Sequence, residues 1–313
     1  MTVDTSLAVE DAADRLEWTC LADSSGYLAW ADVIGQLRRT ASEEEATATY
    51  AERGREPPEA GWRDIEPFET LLDEWVQALG DRAQACGTGD AYPFGVSQHG
   101  LQLRGRPSPY LFQLLVSLGF TDDHHDGTTA YKLFEELSAA AAGRYLGDSS
   151  PAVVFGSPRR DLPAGFRDAV AHLAELLREG KGSGDRKNLS QKKDDGLDVV
   201  AWKEFPDRRT SKLILFGQCA AGRNWEEKTH ELQPGRWCKQ NFAGPIAVDP
   251  IPAFFVPRAL SESDASDAGT DQILLDRCRI SALCSDAMDS QLDERLREWI
   301  DASLQASQAL GAN

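Results

Sequence analysis

The chain has 313 residues, of which 41% are hydrophobic, and its formal net charge at pH 7 is -18. This length is enough for one large domain or two ordinary ones. The acidic balance favours solubility and excludes indiscriminate binding to nucleic acid, so any nucleic-acid site has to be a local basic patch. No apolar stretch approaches the length of a membrane span, so we expect no membrane partner.

The features that report on the compartment favour the cytoplasm. The N-terminal residues are acidic and show no signal-peptide pattern. The chain contains six cysteines, and no two of them form a CxxC pair. We therefore expect reduced thiols in a cytoplasmic protein, and neither a disulfide framework nor a zinc site.

The first part of the chain, residues 1–125, is predicted to be mostly helical, and the sequence does not indicate its role. Residues 4–50 are rich in Ala, Leu, Glu and Arg, and Pro67–Gly80 carries apolar residues at helical spacing. Pro109–Gly119 is a short, nearly all-apolar helix. Residues 81–108 are rich in Gly and Pro, which predicts a loop.

The second part, residues 126–313, mixes helical and strand patterns. We predict an α/β or α+β fold in which a small mixed sheet is flanked by helices. Apart from one strand, residues 231–271 are predicted to be irregular, because they are rich in proline and acidic residues. The predicted helices are Ala130–Gly147, Leu162–Gly180 and Leu292–Leu310. The predicted strands are Val153–Phe155, Leu197–Trp202, Leu213–Ala221 and Ile251–Val256.

Two polar side chains stand out in the two central strands, which a polar turn connects. Asp198 begins the strand Leu197–Trp202, and Gln218 lies inside the most apolar strand, Leu213–Ala221. An amide that is buried without a partner is costly. Asp198 is therefore either a turn acid or a site residue, and Gln218 is either a buried amide bonded to the backbone or a site residue.

Three short motifs occur in order between about Ala130 and Lys228. They are Phe134–Glu135 in a helix, Gly196–Leu197–Asp198 at the start of a strand, and Gln218–Cys219 in the next strand. In their order and spacing they resemble the F-E, G-x-D and Q-C motifs of the restriction-endonuclease-like superfamily, the PD-(D/E)XK nucleases, in the variant that has Gln in the third-strand motif. The resemblance implies a restriction-endonuclease-like core in the second part of the chain.

The resemblance also implies hydrolysis of DNA phosphodiester bonds with Mg²⁺ or Mn²⁺. Asp198 would bind the ion together with the side-chain carbonyl of Gln218 or the backbone carbonyl of Cys219. Glu135 would be a further ligand or would orient a water, with Glu136 as the alternative. Such oxygen ligands suit a hard cation, which lowers the pKa of a water and offsets charge on the phosphate.

The sequence departs from the family pattern at the catalytic lysine. Because side chains alternate along a strand, this lysine should follow Gln218 by two residues, where the chain has Ala220. We predict that Lys228 takes the catalytic role and that Arg223 contacts a phosphate, since both follow a turn from which a helix could direct them to the strand ends.

A second basic segment precedes Asp198. The loop Lys181–Lys193 is rich in Gly and Ser and locally basic, and it is either an ordinary solvated loop or a phosphate-contacting loop. In the second case Lys192 and Lys193 are predicted to bind substrate.

The expected function is that of a metal-dependent DNA nuclease, and the resemblance implies a prokaryotic restriction or anti-phage defence component. A nuclease-fold subunit without catalysis, which binds nucleic acid or scaffolds a partner, is the first alternative, and the missing lysine and the net charge favour it. A helical interaction protein without a site is the second. Because DNA repels an acidic body, we expect a protein partner or a homo-oligomer.

Overall fold

A computed structural model shows a mixed α/β chain, which confirms the predicted fold class. The chain divides into two compact units, Met1–Pro107 and Ser108–Asn313. The division lies before the boundary that the sequence suggested near residue 125, because the helix Ser108–Ser117 packs on helices of the second unit. No helix in the described part of the chain has the length and apolarity to cross a bilayer. The structure describes residues 7–40, 66–87, 90–121, 129–147, 150–185, 194–285 and 288–311.

The first unit combines helices with a small antiparallel sheet. Its strands have only three or four residues, so they give no periodic signal, and two of them lie where the sequence predicted a loop. The strands pair in the order β1-β3-β2. The helices are α1 (Val9–Ala22), α2 (residues 30–40) and α3 (Glu66–Ala85). The strands are β1 (Tyr27–Ala29), β2 (Phe94–Val96) and β3 (Gly100–Leu103).

A buried ion cluster connects α1 with α3. The Arg82 guanidinium lies 2.6 Å from a Glu10 oxygen, 2.8 Å from an Asp14 oxygen and 3.1 Å from a Glu17 oxygen. The Tyr92 hydroxyl donates to the other Glu17 oxygen at 2.9 Å. Direct contacts of this kind offset the cost of burying charge.

The second unit is built on a five-stranded mixed sheet in the order β4-β5-β6-β7-β8. The pairs β4-β5 and β5-β6 are antiparallel, and the pairs β6-β7 and β7-β8 are parallel. The expectation that the two central strands are neighbours is confirmed by β5 and β6. The strands are β4 (Ala152–Val154), β5 (Val199–Trp202), β6 (Ile214–Cys219), β7 (Ile251–Phe255) and β8 (Ile273–Leu275).

Helices cover both faces of this sheet. The helices are α4 (Ser108–Ser117), α5 (Ala130–Leu146), α6 (Phe166–Leu177), α7 (Pro234–Asn241), α8 (Glu262–Ala268), α9 (Arg277–Cys284) and α10 (Ser290–Gly311). Helix α5 packs against β4, β5 and β6 on one face, and α9 and α4 pack against α5. Helices α6 and α7 cover the other face through a shared apolar core.

An aromatic cluster around Trp237 anchors α7 to the sheet. The Trp237 ring lies edge-on to Phe216 of β6 at 5.3 Å and to Phe155 at 5.6 Å between centroids. Helix α7 was not predicted from the sequence, because the segment carries few apolar residues, and a loop was predicted where α8 forms. Pro234 is compatible with α7 because it occupies the first helical turn, where no intrahelical N–H is needed.

Candidate active site

Asp198 lies immediately before β5 and is bonded to the strands on both sides. Its backbone carbonyl accepts the N–H groups of Phe155 at 2.7 Å and Gly156 at 3.1 Å, just beyond β4. Its backbone N–H donates to the Gly217 carbonyl at 2.9 Å, and its Oδ2 accepts the Cys219 N–H at 2.8 Å. The carboxylate is therefore fixed at the end of the sheet where β5 begins and β6 ends.

A tight turn delivers Asp198 to this position. Asp195 and Gly196 both have positive φ angles, 59° and 79°. The Asp194 side chain stabilises the turn by accepting the Gly196 N–H at 3.2 Å. The backbone conformation thus explains the glycine of the G-x-D motif, since glycine adopts a positive φ angle at little cost.

Glu135 reaches the same end of the sheet from α5. A Cβ atom at Gly156 would lie within 2.9 Å of all three heavy atoms of the Glu135 carboxyl group, so only glycine leaves room for it there. Glu136, the alternative that the sequence left open, pairs instead with Arg295 of α10. The structure therefore selects Glu135 as the candidate site residue.

Lys132 places a cation beside Glu135. Its Nζ donates to Glu135 Oε2 at 2.7 Å and to the Gly156 carbonyl at 2.8 Å. Thr129 caps α5 and accepts the Lys132 N–H at 3.2 Å, which places Lys132 in the first turn and Glu135 on the same helix face. Only 12% of the Lys132 side chain is exposed, so the ammonium lies largely away from solvent.

The carboxylates of the site are only partly compensated. Burial raises the pKa of Asp198 to about 7; the charges of Glu135 and Asp194 raise it as well, while the Cys219 N–H and the Lys132 charge lower it. Burial also raises the pKa of Glu135, against the hydrogen bond and the charge of Lys132. The negative charges of Glu135 and Asp194 thus act on Asp198, and an ammonium lies beside Glu135.

Arg159 brings a further positive charge near these carboxylates. Burial lowers the pKa of its guanidinium, whereas the charges of Asp194 and Glu135 raise it. The guanidinium also stacks over the Phe155 ring, 4.6 Å from its centroid. An arginine in this place can bind a phosphate oxygen beside the carboxylates.

Gln218 and Cys219 differ in what they contribute. Gln218 is buried on β6, and its Nε2 donates to Glu231 Oε2 at 2.9 Å, so the amide bonds a side chain rather than only backbone. Cys219 contributes the backbone N–H that Asp198 accepts. Burial raises the pKa of the Cys219 thiol well above its usual range, which keeps the sulfur neutral.

In the described part of the chain, Lys228 and Arg223 form no ion pair or hydrogen bond with these carboxylates. Lys228 ends a short 3₁₀ helix, and among the described residues its side chain forms no ion pair or hydrogen bond. Arg223 is exposed, and its guanidinium points towards Gly119, where a Cβ atom would lie 4.0 Å away. Lys192 and Lys193 lie outside the described residues.

Four residues of the site were not predicted from the sequence, namely Lys132, Gly156, Arg159 and Asp194. Of these, Lys132 left a signal, because it precedes Glu135 by three residues in a predicted helix, and that spacing places both side chains on one face. The approach of Gly156 and Arg159 depends on tertiary packing, and no local pattern reports it.

The donor set fits a hard divalent cation. In the described ranges no three His, Cys, Asp or Glu side chains form a metal-binding group. Magnesium, however, commonly uses one or two carboxylates and completes its shell with waters and substrate phosphates. Asp198 and Glu135 supply two such carboxylates, the absence of a Cβ atom at Gly156 leaves room for the Glu135 carboxyl group, and the Lys132 ammonium bound there shows that this place attracts positive charge.

Comparison with known proteins found no relative with which this site can be compared. No protein-family model matches the chain, and no significant match was found among curated proteins or solved structures.

Proposed function

We propose that this protein is a metal-dependent nuclease that hydrolyses DNA phosphodiester bonds at the Asp198–Glu135 site. The observation that carries the proposal is the meeting of two carboxylates from separate elements at one end of the sheet, where burial raises the pKa of both. Perturbed carboxylates gathered in this way are typical of catalytic sites. The helix, the G-x-D turn and the glutamine strand follow in the order on which the family resemblance rests.

Asp198 and Glu135 would bind Mg²⁺ or Mn²⁺, and the Gln218 amide oxygen is the further donor that the resemblance implies. When bound, the ion would supply Lewis-acid chemistry, that is, a more acidic water and partial neutralisation of the phosphate. The Cys219 N–H keeps the Asp198 carboxylate in one orientation. Arg159 offers a guanidinium for a phosphate oxygen, a role that the sequence analysis had given to Arg223.

The net charge of -18 bears on how such a nuclease would meet DNA. A polyanion is repelled by an acidic surface at distances up to a Debye length, about 8–10 Å in physiological salt. We therefore propose that a basic protein partner or self-assembly assists binding. Cleavage that is much stronger with a partner than with dilute protein alone would support this part of the proposal.

The test is a cleavage assay on plasmid DNA, with an RNA substrate in parallel, in Mg²⁺ and in Mn²⁺. We expect wild-type protein and Glu136→Gln to cleave DNA, and Asp198→Ala and Glu135→Gln to lose at least about 100-fold in rate. Glu136→Gln is the matched control, because it removes a neighbouring carboxylate that pairs with Arg295. DNA binding without cleavage by the wild type would instead favour the inactive nuclease-fold subunit.

A further inference from the structure

The Lys132 ammonium is bound as a small cation would be. It is largely buried and contacts two oxygens, Glu135 Oε2 at 2.7 Å and the Gly156 carbonyl at 2.8 Å. Both oxygens lie near Asp198, since the Gly156 N–H donates to the Asp198 carbonyl at 3.1 Å. The ammonium thus offsets part of the negative charge of Glu135 and Asp198.

We infer that Lys132 is a built-in counter-ion, which a divalent cation displaces from Glu135 when it binds. This inference rests on the metal site of the proposed function. A carboxylate oxygen that accepts a hydrogen bond from an ammonium at 2.7 Å cannot also approach a divalent cation without bringing two positive charges close together. Release of the ammonium removes that repulsion and frees the oxygen.

The position of Lys132 suits exchange of this kind. It lies in the first turn of α5, and lysine has a long flexible stem on which the ammonium can move while the backbone stays capped by Thr129. A released ammonium remains within one helical turn of Glu135. The site would therefore keep a cation of its own, although Ala220 occupies the place of the expected lysine and is fully buried.

The test is a Mn²⁺ titration by calorimetry on metal-free wild-type protein, Lys132→Met and Lys203→Met. If Lys132 must be displaced, Lys132→Met should bind Mn²⁺ at least about tenfold more tightly than the wild type, because the competing charge is gone. Lys203→Met is the matched control: it removes an equal charge at the other end of α5, where Lys203 lies beside Gly147. Equal or weaker binding by Lys132→Met would overturn the inference.

A second measurement follows the wild-type protein through a Mg²⁺ titration and needs a variant only to assign one resonance. The Lys132 ammonium resonance, assigned by its loss in Lys132→Arg, should shift when Mg²⁺ saturates the protein, whereas the Lys203 resonance should not. A Lys132 resonance that stays unchanged through the titration would overturn the inference. Neither measurement uses cleavage, so an inactive protein that still exchanges Lys132 for the ion would refute only the hydrolytic part of the proposed function.

Discussion

Each of the two units contains a cluster in which a cation lies among acidic side chains, yet the two clusters are arranged differently. In the first unit, Arg82 contacts three carboxylates directly, at 2.6–3.1 Å. In the second unit, Lys132 donates to Glu135, and Asp198 accepts a backbone N–H in place of a cation. The Arg82 cluster has its charges paired by contact, whereas the Asp198 cluster leaves negative charge that is only partly compensated.

We interpret this difference as one between a charge cluster that serves folding and one that serves chemistry. A guanidinium has five donors in a fixed plane and can satisfy several carboxylates at once, which suits a permanent contact. An ammonium on a flexible stem is more readily exchanged. The partly compensated carboxylates of the second unit cost stability in the metal-free protein, and such costs are common where a site is prepared for a ligand.

The largest loss of stability is expected when the Arg82 cluster is broken. Arg82→Met should cost roughly 3–5 kcal/mol of stability, because it removes the cation that the buried carboxylates contact. Lys132→Met should cost less, about 1–2 kcal/mol, since Lys132 and Glu135 keep 12% and 15% of their side chains exposed. Denaturant unfolding of both variants measures the two values. If the two substitutions cost the same, the clusters do not differ as described.

A second prediction is that removing the charge of Asp198 stabilises the folded protein at high pH. Its pKa of about 7 in the folded protein lies above the value of about 3.9 expected for an unfolded chain, so ionisation destabilises the fold. The contribution of Asp198 to stability should fall as pH rises from about 4 to about 7 and should stay low above that. In metal-free protein, Asp198→Asn should therefore be more stable than the wild type at pH 8, by at most about 4 kcal/mol, and equal to it near pH 4.

The equivalent substitution in the first unit, Asp14→Asn, should change stability in the opposite direction. Asp14→Asn loses a direct contact with Arg82 and should destabilise the protein at pH 8. Thermal unfolding of both variants at pH 4 and pH 8, in the presence of a chelator, gives the comparison. A destabilised Asp198→Asn at pH 8 would mean that its carboxylate is compensated after all.

A smaller effect is expected when a methyl group is added beside Glu135. Gly156→Ala places a Cβ atom against the carboxyl group, and the displaced ligand should weaken Mn²⁺ binding by about 10–100-fold. Gly80→Ala in α3 is the control, because no atom lies within 4 Å of the added group; it should leave Mn²⁺ binding unchanged and add about 0.5–1 kcal/mol of stability. Unchanged Mn²⁺ binding by Gly156→Ala would show that Glu135 is not a ligand.

The parts of the fold that the sequence predicts are those with a strong periodic or apolar signal. The strands β5 and β6 and the helices α5 and α10 appear close to their predicted bounds, because each buries a continuous apolar run or stripe. The helix α7 was missed because it depends on one tryptophan, Trp237, that packs on the sheet. Propensity alone does not report such tertiary stabilisation.

The same limit applies to the site. Asp198, Glu135 and Gln218 are polar residues in the three short motifs, and in the structure the charge of Glu135 acts on Asp198. The basic residue that replaces the missing lysine was sought close to β6 in the sequence, and this led to Lys228 and Arg223. Lys132 precedes β6 by a long stretch of chain and reaches the site only because α5 packs across the sheet. The catalytic role of Lys228 stays a prediction without a contact that supports it.

The central claim is that Asp198 and Glu135 form a site for a divalent cation, and a Mn²⁺ titration of the metal-free protein tests it most directly. Calorimetry on the wild type, Asp198→Ala and Glu136→Gln compares a proposed ligand with a neighbouring carboxylate that is paired to Arg295. We predict that the wild type and Glu136→Gln bind Mn²⁺ with the same affinity and that Asp198→Ala loses binding. Equal affinity in Asp198→Ala, or no binding by the wild type, would contradict the account.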